Sequence, residues 1–121
     1  DAGNAWRRET AVRYNDRLDN TAVTTPTAAG WAEHVYHLYI IQVDNREQLQ
    51  SHLAEAGIAT GIHYPIPIHL QPAYADLGHK PGVFPVTEQL AQRILSLPMY
   101  PGIPPEAIDY TADAIHDFIA R

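Results

Sequence analysis

Nine of the ten prolines of this chain lie between Pro65 and Pro105. That clustering limits the possible folds more than any other feature of the sequence. Proline fixes φ and lacks a backbone N–H, so it ends helices and is kept out of central strands. Pro65, Pro67 and Pro72 make Pro65 to Gly82 mostly a shaped loop, with one short turn of helix expected from Pro72 to Leu77. Regular elements have to lie before this loop or fit into the gaps after it.

The patterns on either side support this division. Ala11, Tyr14 and Leu18 recur at helical spacing from Trp6 to Leu18, where Glu9 and Arg13 can pair one turn apart. Thr21 to Gly30 has no period and reads as a connection. Val35 to Val43 is rich in β-branched and aromatic residues and reads as a strand with two largely apolar faces, both needing cover. Asp44 or Asn45 caps the next helix, which buries Leu49, Leu53 and Ala56 and ends at Gly57. Ile58 to His63 reads as a second strand. Thr87 is expected to cap a third helix through Leu90 and Ile94, followed by a third strand from Leu95 to Met99. Pro104 or Pro105 opens a last helix carrying Ile108, Ala112, Ile115 and Ile119.

Strands separated by helices in 121 residues give one α/β (α+β) domain, a two-layer sandwich with a small mixed or antiparallel sheet of about three strands. The crossover rule makes the first two strands parallel and leaves room for the third between them, antiparallel to both.

Composition excludes several functions. There is no cysteine, hence no disulfide scaffold, thiolate metal site or cysteine nucleophile. A net charge of −6 argues against nucleic acid as a partner. No apolar run is long enough for a membrane helix, the first residues lack a signal-peptide pattern, and the expected location is the cytoplasm. Charge is uneven, with Arg7, Arg8, Arg13 and Arg17 in the first helix and Glu106, Asp109, Asp113 and Asp117 in the last. The acidic helix reads as a solvated face; the arginine-rich one reads either that way or as a surface facing a partner.

Seven histidines invite a metal reading, but no spacing fits a known ligand pattern and no metal site is expected. Ser51 and Ser96 are the only serines, and neither sits in the glycine-flanked turn that exposes a nucleophile. No glycine-rich phosphate loop is present. What remains is Gly61 to Tyr74, where a histidine and a tyrosine at a strand end are followed by a proline-stiffened loop. Such a segment suits a binding wall equally with an ordinary surface loop whose histidines are hydrogen-bonded.

The same segment carries a resemblance. Arg7-Arg8 with Tyr14 and Leu18, Tyr36-His37-Leu38-Tyr39, Gly57-Ile58 with Gly61 to Pro65, His69 to Tyr74, Gly82 to Glu88 and Leu95 to Pro101 resemble, in order, the C-terminal part of the DegT/DnrJ/EryC1/StrS family of pyridoxal-phosphate sugar aminotransferases. The resemblance implies a C-terminal small domain (residues 1–20 a linking helix, 34–121 the α/β core), with the large cofactor-binding domain outside this chain. It implies amino transfer, from glutamate, to a nucleotide-linked keto-deoxy sugar at C3, by a cytoplasmic homodimer, with the isolated chain inactive. Pyridoxal phosphate would be held mainly by the other domain, so no catalytic or cofactor-binding residue is expected here, and Lys80, the single lysine, does not inherit the catalytic role. His63 is the expected main substrate contact, hydrogen-bonding the sugar or its pyrophosphate, with Tyr64, His69 and Gln71 as lesser ones. Tyr36, His37 and Tyr39 are expected in the core or a domain interface. Three alternatives stand beside this reading. They are a non-catalytic ligand-binding or regulatory module, a dehydratase-type relative, and a metal-dependent hydrolase that would require three convergent ligands.

Overall fold

A computed structural model describes residues 2–121. Helix α1 (Ala2–Leu18) is followed by an irregular connection, strand β1 (Tyr39–Gln42) and helix α2 (Arg46–Glu55). Two 3-10 turns, Ile68–Leu70 and Pro72–Leu77, interrupt the loop that comes next. Helix α3 (Pro85–Arg93) runs directly into strand β2 (Ile94–Leu97), and helix α4 (Pro105–Ile119) closes the chain.

β1 and β2 pair antiparallel, with Tyr39 opposite Leu97 and Ile41 opposite Leu95. The sheet extends by single bridges on each side, Thr24 with Gln42 and Gly61 with Ser96. Where a full second strand is expected over Ile58 to His63, only Gly61 pairs, exchanging N–H and C=O with Ser96 at 3.2 and 2.8 Å. β2 therefore lies between β1 and Gly61 and is antiparallel to both, the expected order in shortened form.

Side chains alternate across the strands, and one sheet face is the core. Tyr39, Ile41, Leu95 and Leu97 from the sheet meet Tyr14 and Leu18 of α1, Leu49 and Leu53 of α2, and Ile108, Ala112 and Ile115 of α4. The Tyr14 and Tyr39 rings stack at 4.7 Å. Burial pushes the Tyr14 hydroxyl up to about 12 and raises that of Tyr39 too. Both hydroxyls have partners: Tyr14 donates to the Pro98 carbonyl (3.0 Å) and Tyr39 to Asn15 Oδ1 (2.6 Å). The opposite face carries Ile40, Gln42, Ile94 and Ser96, of which Ser96 is buried and the others half-buried.

Several expectations are corrected. Val35 to Leu38 is not strand: Tyr36 has a left-handed φ of 46°, and Arg7 donates to the carbonyls of Tyr36 and His37 (3.2 and 3.1 Å). An aromatic residue with positive φ is disfavoured, and this arginine clamp satisfies carbonyls that a sheet would otherwise pair. Helix α3 starts at Pro85, not Thr87, because proline at N1 needs no hydrogen bond and Glu88 supplies the cap. Ile94 belongs to β2 rather than to the helix.

The charged faces of α1 and α4 are open to solvent, as expected for the acidic helix, and in part they pair with each other. Arg13 grips Asp109 bidentately (2.9 and 2.6 Å), Arg17 pairs with Asp113, and Arg8 pairs with Glu33 at 3.0 Å. All four arginines of α1 are thus engaged within the chain.

Candidate functional site

The sheet face bearing Ser96 is where the proline-rich loop leaves the core. Gly61, bridged to Ser96, is the last residue held by backbone pairing. Two residues later the His63 ring folds back onto the same strand, its Nδ1 2.9 Å from Ser96 Oγ. Glycine at 61 makes room for this ring: a Cβ there would lie 2.8 Å from His63 Cε1 and would push the imidazole aside. Ser96 is itself 5% exposed, so a buried hydroxyl on a central strand fixes one nitrogen of the imidazole. The other, Nε2, makes no hydrogen bond among the described residues and is left to donate or accept.

Tyr64 follows through a cis peptide bond, stands edge-on to the His63 ring at 5.4 Å and is 71% exposed. These two residues therefore stand together, one anchored and one free. Gln71 Nε2 reaches only the Ile66 carbonyl, at 3.5 Å, and remains available to a ligand.

His69 is placed differently. Its Nε2 lies 2.9 Å from Glu88 Oε1, with its side chain 8% exposed. The Phe84 ring packs edge-on to it at 4.8 Å. Glu88 also accepts the N–H groups of Gly82 (2.7 and 3.0 Å) and Phe84 (3.3 Å). These donors, that of Gly82 first and His69 next, hold the carboxyl below its ordinary range. His69 therefore belongs to the interior of the loop.

The loop has a further property. From Ala59 to Leu90 no residue is buried, yet Tyr64, Ile66, Ile68, Phe84 and Val86 are among the large apolar side chains exposed there. An open apolar hollow of about 360 Å³ lies between Val83, Phe84, Val86 and Leu90. The strand side chains Tyr39, Ile41 and Val43 are buried, so the exposed apolar surface lies on the loop rather than on the strand.

A metal centre finds no geometry here. Among the described residues no three histidine, aspartate or glutamate side chains converge, and His63 and His69 are tied to different partners. Nor do these residues fit a pyridoxal site. Lys80 is exposed in the turn between Gly78 and Gly82 and pairs with no carboxylate among the described residues.

Two residues of this site escape sequence reasoning. Ser96 is rejected as a nucleophile, and its service to His63 is invisible across 33 positions. Glu88 reads only as a first-turn acid; its position four after Phe84 is the one available hint of a cap.

A model of the DegT/DnrJ/EryC1/StrS aminotransferase family matches residues 1–116. The chain is 48% identical over 111 residues to a Saccharopolyspora erythraea protein named erythromycin biosynthesis sensory transduction protein EryC1, covering 91% of this chain and 30% of that one. It is 36% identical over 118 residues to the dTDP-3-amino-3,6-dideoxy-alpha-D-galactopyranose transaminase of Aneurinibacillus thermoaerophilus, covering 98% of this chain and 32% of that one. Among solved structures, S. venezuelae DesV in complex with a ketimine intermediate superposes with a TM-score of 0.94 at 34% identity, over 98% of this chain and 32% of that one. The chain spans about a third of the length of the curated relatives it matches.

Proposed function

The chain belongs to the DegT/DnrJ/EryC1/StrS aminotransferase family, and from that premise we propose that it supplies the small C-terminal domain of a nucleotide-sugar aminotransferase. On this reading α1 links to a large domain outside residues 1–121, and residues 34–121 form the α/β core that closes one wall of the site. The whole protein transfers an amino group, from glutamate, to C3 of a nucleotide-linked keto-deoxy sugar. The name of the A. thermoaerophilus relative, a 3-amino-sugar transaminase, supports that substrate class and carbon. Pyridoxal phosphate, which carries the amino group between donor and acceptor, is assigned to the part of the protein outside this chain, since Lys80 offers it no cradle. The exposed apolar loop supports a covered face in the whole protein and is consistent with a homodimer. Among the described residues no helix is long and apolar enough to cross a membrane; the cytoplasmic location is carried over from the family resemblance.

The observation that carries the reading is His63. Its ring is fixed through Nδ1 by a buried strand hydroxyl while Nε2 stays free beside the exposed Tyr64. A ring held this way binds a hydroxyl or phosphate oxygen without first losing its rotational freedom. Gln71 adds an amide to the same loop, and His69 supports the loop from inside.

The experiment is steady-state transamination by the whole protein with glutamate and a dTDP-linked 3-keto sugar, wild type against His63→Ala. We expect the sugar KM to rise at least about tenfold, the loss of one or two oriented hydrogen bonds, while the half-reaction with glutamate is unchanged. An unchanged sugar KM removes His63 from the site. The name of the S. erythraea relative favours a second reading, a regulatory module. That reading predicts sugar binding without any turnover, and a dehydratase-type relative would release water from the sugar without consuming glutamate.

A further inference from the structure

From Ile62 to Leu77 the chain has almost nothing of its own to hold it. Packing fixes it at few points: Ile62 leans on the core at one end, the His69 side chain is enclosed beside Phe84, and the rest of the span is half-buried or exposed. Its backbone hydrogen bonds, such as Leu70 N to the Pro67 carbonyl and Tyr74 N to the Gln71 carbonyl, span single turns. Among the described residues only two side-chain hydrogen bonds connect this span to a helix or strand. One is His63 to Ser96 on β2; the other is His69 to Glu88 on α3.

Glu88 does more than receive His69. The Phe84 side chain offers no cap to α3, and Glu88 takes the Phe84 N–H in its place. Its two oxygens also take the Gly82 N–H, which closes the turn before the helix. One carboxylate thus joins three pieces of chain: the Ile68–Leu70 turn, the Gly82–Phe84 turn and α3. Its side chain is 18% exposed, so these charge-assisted bonds are only partly open to water. The rings of His79 and Phe84 close the cluster, 5.2 Å apart and both edge-on to His69.

We propose that Glu88 is the positioning residue of the loop: its carboxylate fixes His69 and the Gly82–Phe84 turn to α3, and so sets where the Ile62–Tyr74 segment presents its side chains to the sugar substrate. Glu88 does not touch the substrate; it acts through His69. What the loop touches rests on the function proposed above; that Glu88 holds the loop does not.

The test separates the two. Hydrogen exchange, read by mass spectrometry, is measured on the whole protein as wild type, Glu88→Ala and Glu88→Gln, beside the sugar and glutamate KM values. We expect amides from Ile66 to Phe84 to exchange at least about tenfold faster in Glu88→Ala, with α1 and α4 unchanged. Glu88→Gln should fall between, because its amide keeps one acceptor but turns a donor toward other donors. The sugar KM should rise in the same order while kcat and the glutamate KM hold. Unchanged exchange in the loop overturns the proposal, and so does faster exchange in every element, which would make Glu88 a general stabiliser. A loosened loop with an unchanged sugar KM also overturns it, and shows that the loop does not meet the sugar. If the wild type transfers no amino group, the function proposed above fails, and loop exchange alone decides whether Glu88 is the anchor.

Discussion

The helical half of this chain and the stretch from Ala59 to Leu90 are held by different means. In the first, Tyr14, Tyr39, Leu49, Leu53, Leu95 and Ile115 are fully buried and interlock across α1, α2, α4 and the sheet. In the second, large apolar side chains face outward and the ties to the rest of the chain are chiefly polar, among them the Gly61–Ser96 bridge, Gln50 to Thr60, His63 to Ser96 and His69 to Glu88. Close packing tolerates loss of a surface contact but not of a core methyl group, whereas a loop held by few hydrogen bonds depends on each. The difference separates the region that determines stability from the region proposed above to meet the substrate.

The sharpest way to break that separation is a pair of truncations. Leu95→Ala should destabilise the chain by about 3 kcal/mol, since it empties a fully enclosed site on the central strand. Ile68→Ala, at a position 70% exposed, should change stability by less than about 0.5 kcal/mol. Urea unfolding of both checks this. A comparable loss in Ile68→Ala would mean that the loop contributes to the core after all.

The next effect is smaller and depends on pH. Tyr14→Phe leaves the Pro98 carbonyl without its donor and should cost about 1 kcal/mol. Because the folded Tyr14 ionises only toward about 12, above the ordinary tyrosine value near 10, the unfolded chain gives up its proton first as pH rises. Wild-type stability should therefore fall between about pH 10 and 12. Tyr14→Phe should show a shallower fall over that window, read from unfolding midpoints.

The sequence shows these two halves unequally. The helices are legible because their apolar residues repeat locally: Leu49 and Leu53, or Ile108, Ala112 and Ile115, need no distant information. Strand limits are not, because they depend on remote groups. Val35 to Leu38 has every local mark of a strand, and what excludes it is Arg7, 29 positions away, holding the Tyr36 carbonyl. The second strand shrinks to the single bridge at Gly61, against which the His63 ring folds back. At the site, His63 and Tyr64 are legible as residues at a strand end. Their supports, Ser96 and Glu88, are not, since Ser96 meets His63 across 33 positions and Glu88 shows only its place four after Phe84.

Gly61→Ala tests the boundary between the halves. The added Cβ needs the place of His63 Cε1, so the ring has to leave Ser96 while the core stays intact. We expect little change in the unfolding midpoint, but the nuclear resonance signal of the His63 ring should move to that of an unanchored imidazole. A midpoint shift as large as that of Leu95→Ala would show that this edge belongs to the core.

The smallest effect contrasts two carboxylates. Asp109, like Glu88, titrates below its ordinary range, here chiefly because it accepts hydrogen bonds from Arg13. A depressed carboxyl contributes stability above the ordinary value near 4 and loses that contribution as pH falls through its folded value. Asp109→Asn should therefore lower stability slightly at pH 7, and the deficit should close at lower pH as the wild-type carboxyl also becomes neutral. The Arg13 guanidinium is 45% exposed, so salt should also reduce the deficit. Loop exchange should be unaffected, because the α1–α4 face is already fixed by Tyr14, Leu18, Ile108 and Ile115 beneath the ion pair. Glu88 has only the small cluster of His69, His79 and Phe84 rings around it. If Asp109→Asn loosened the loop as Glu88→Ala is expected to, the two halves would be coupled through α4, and the division of stability from recognition would fail.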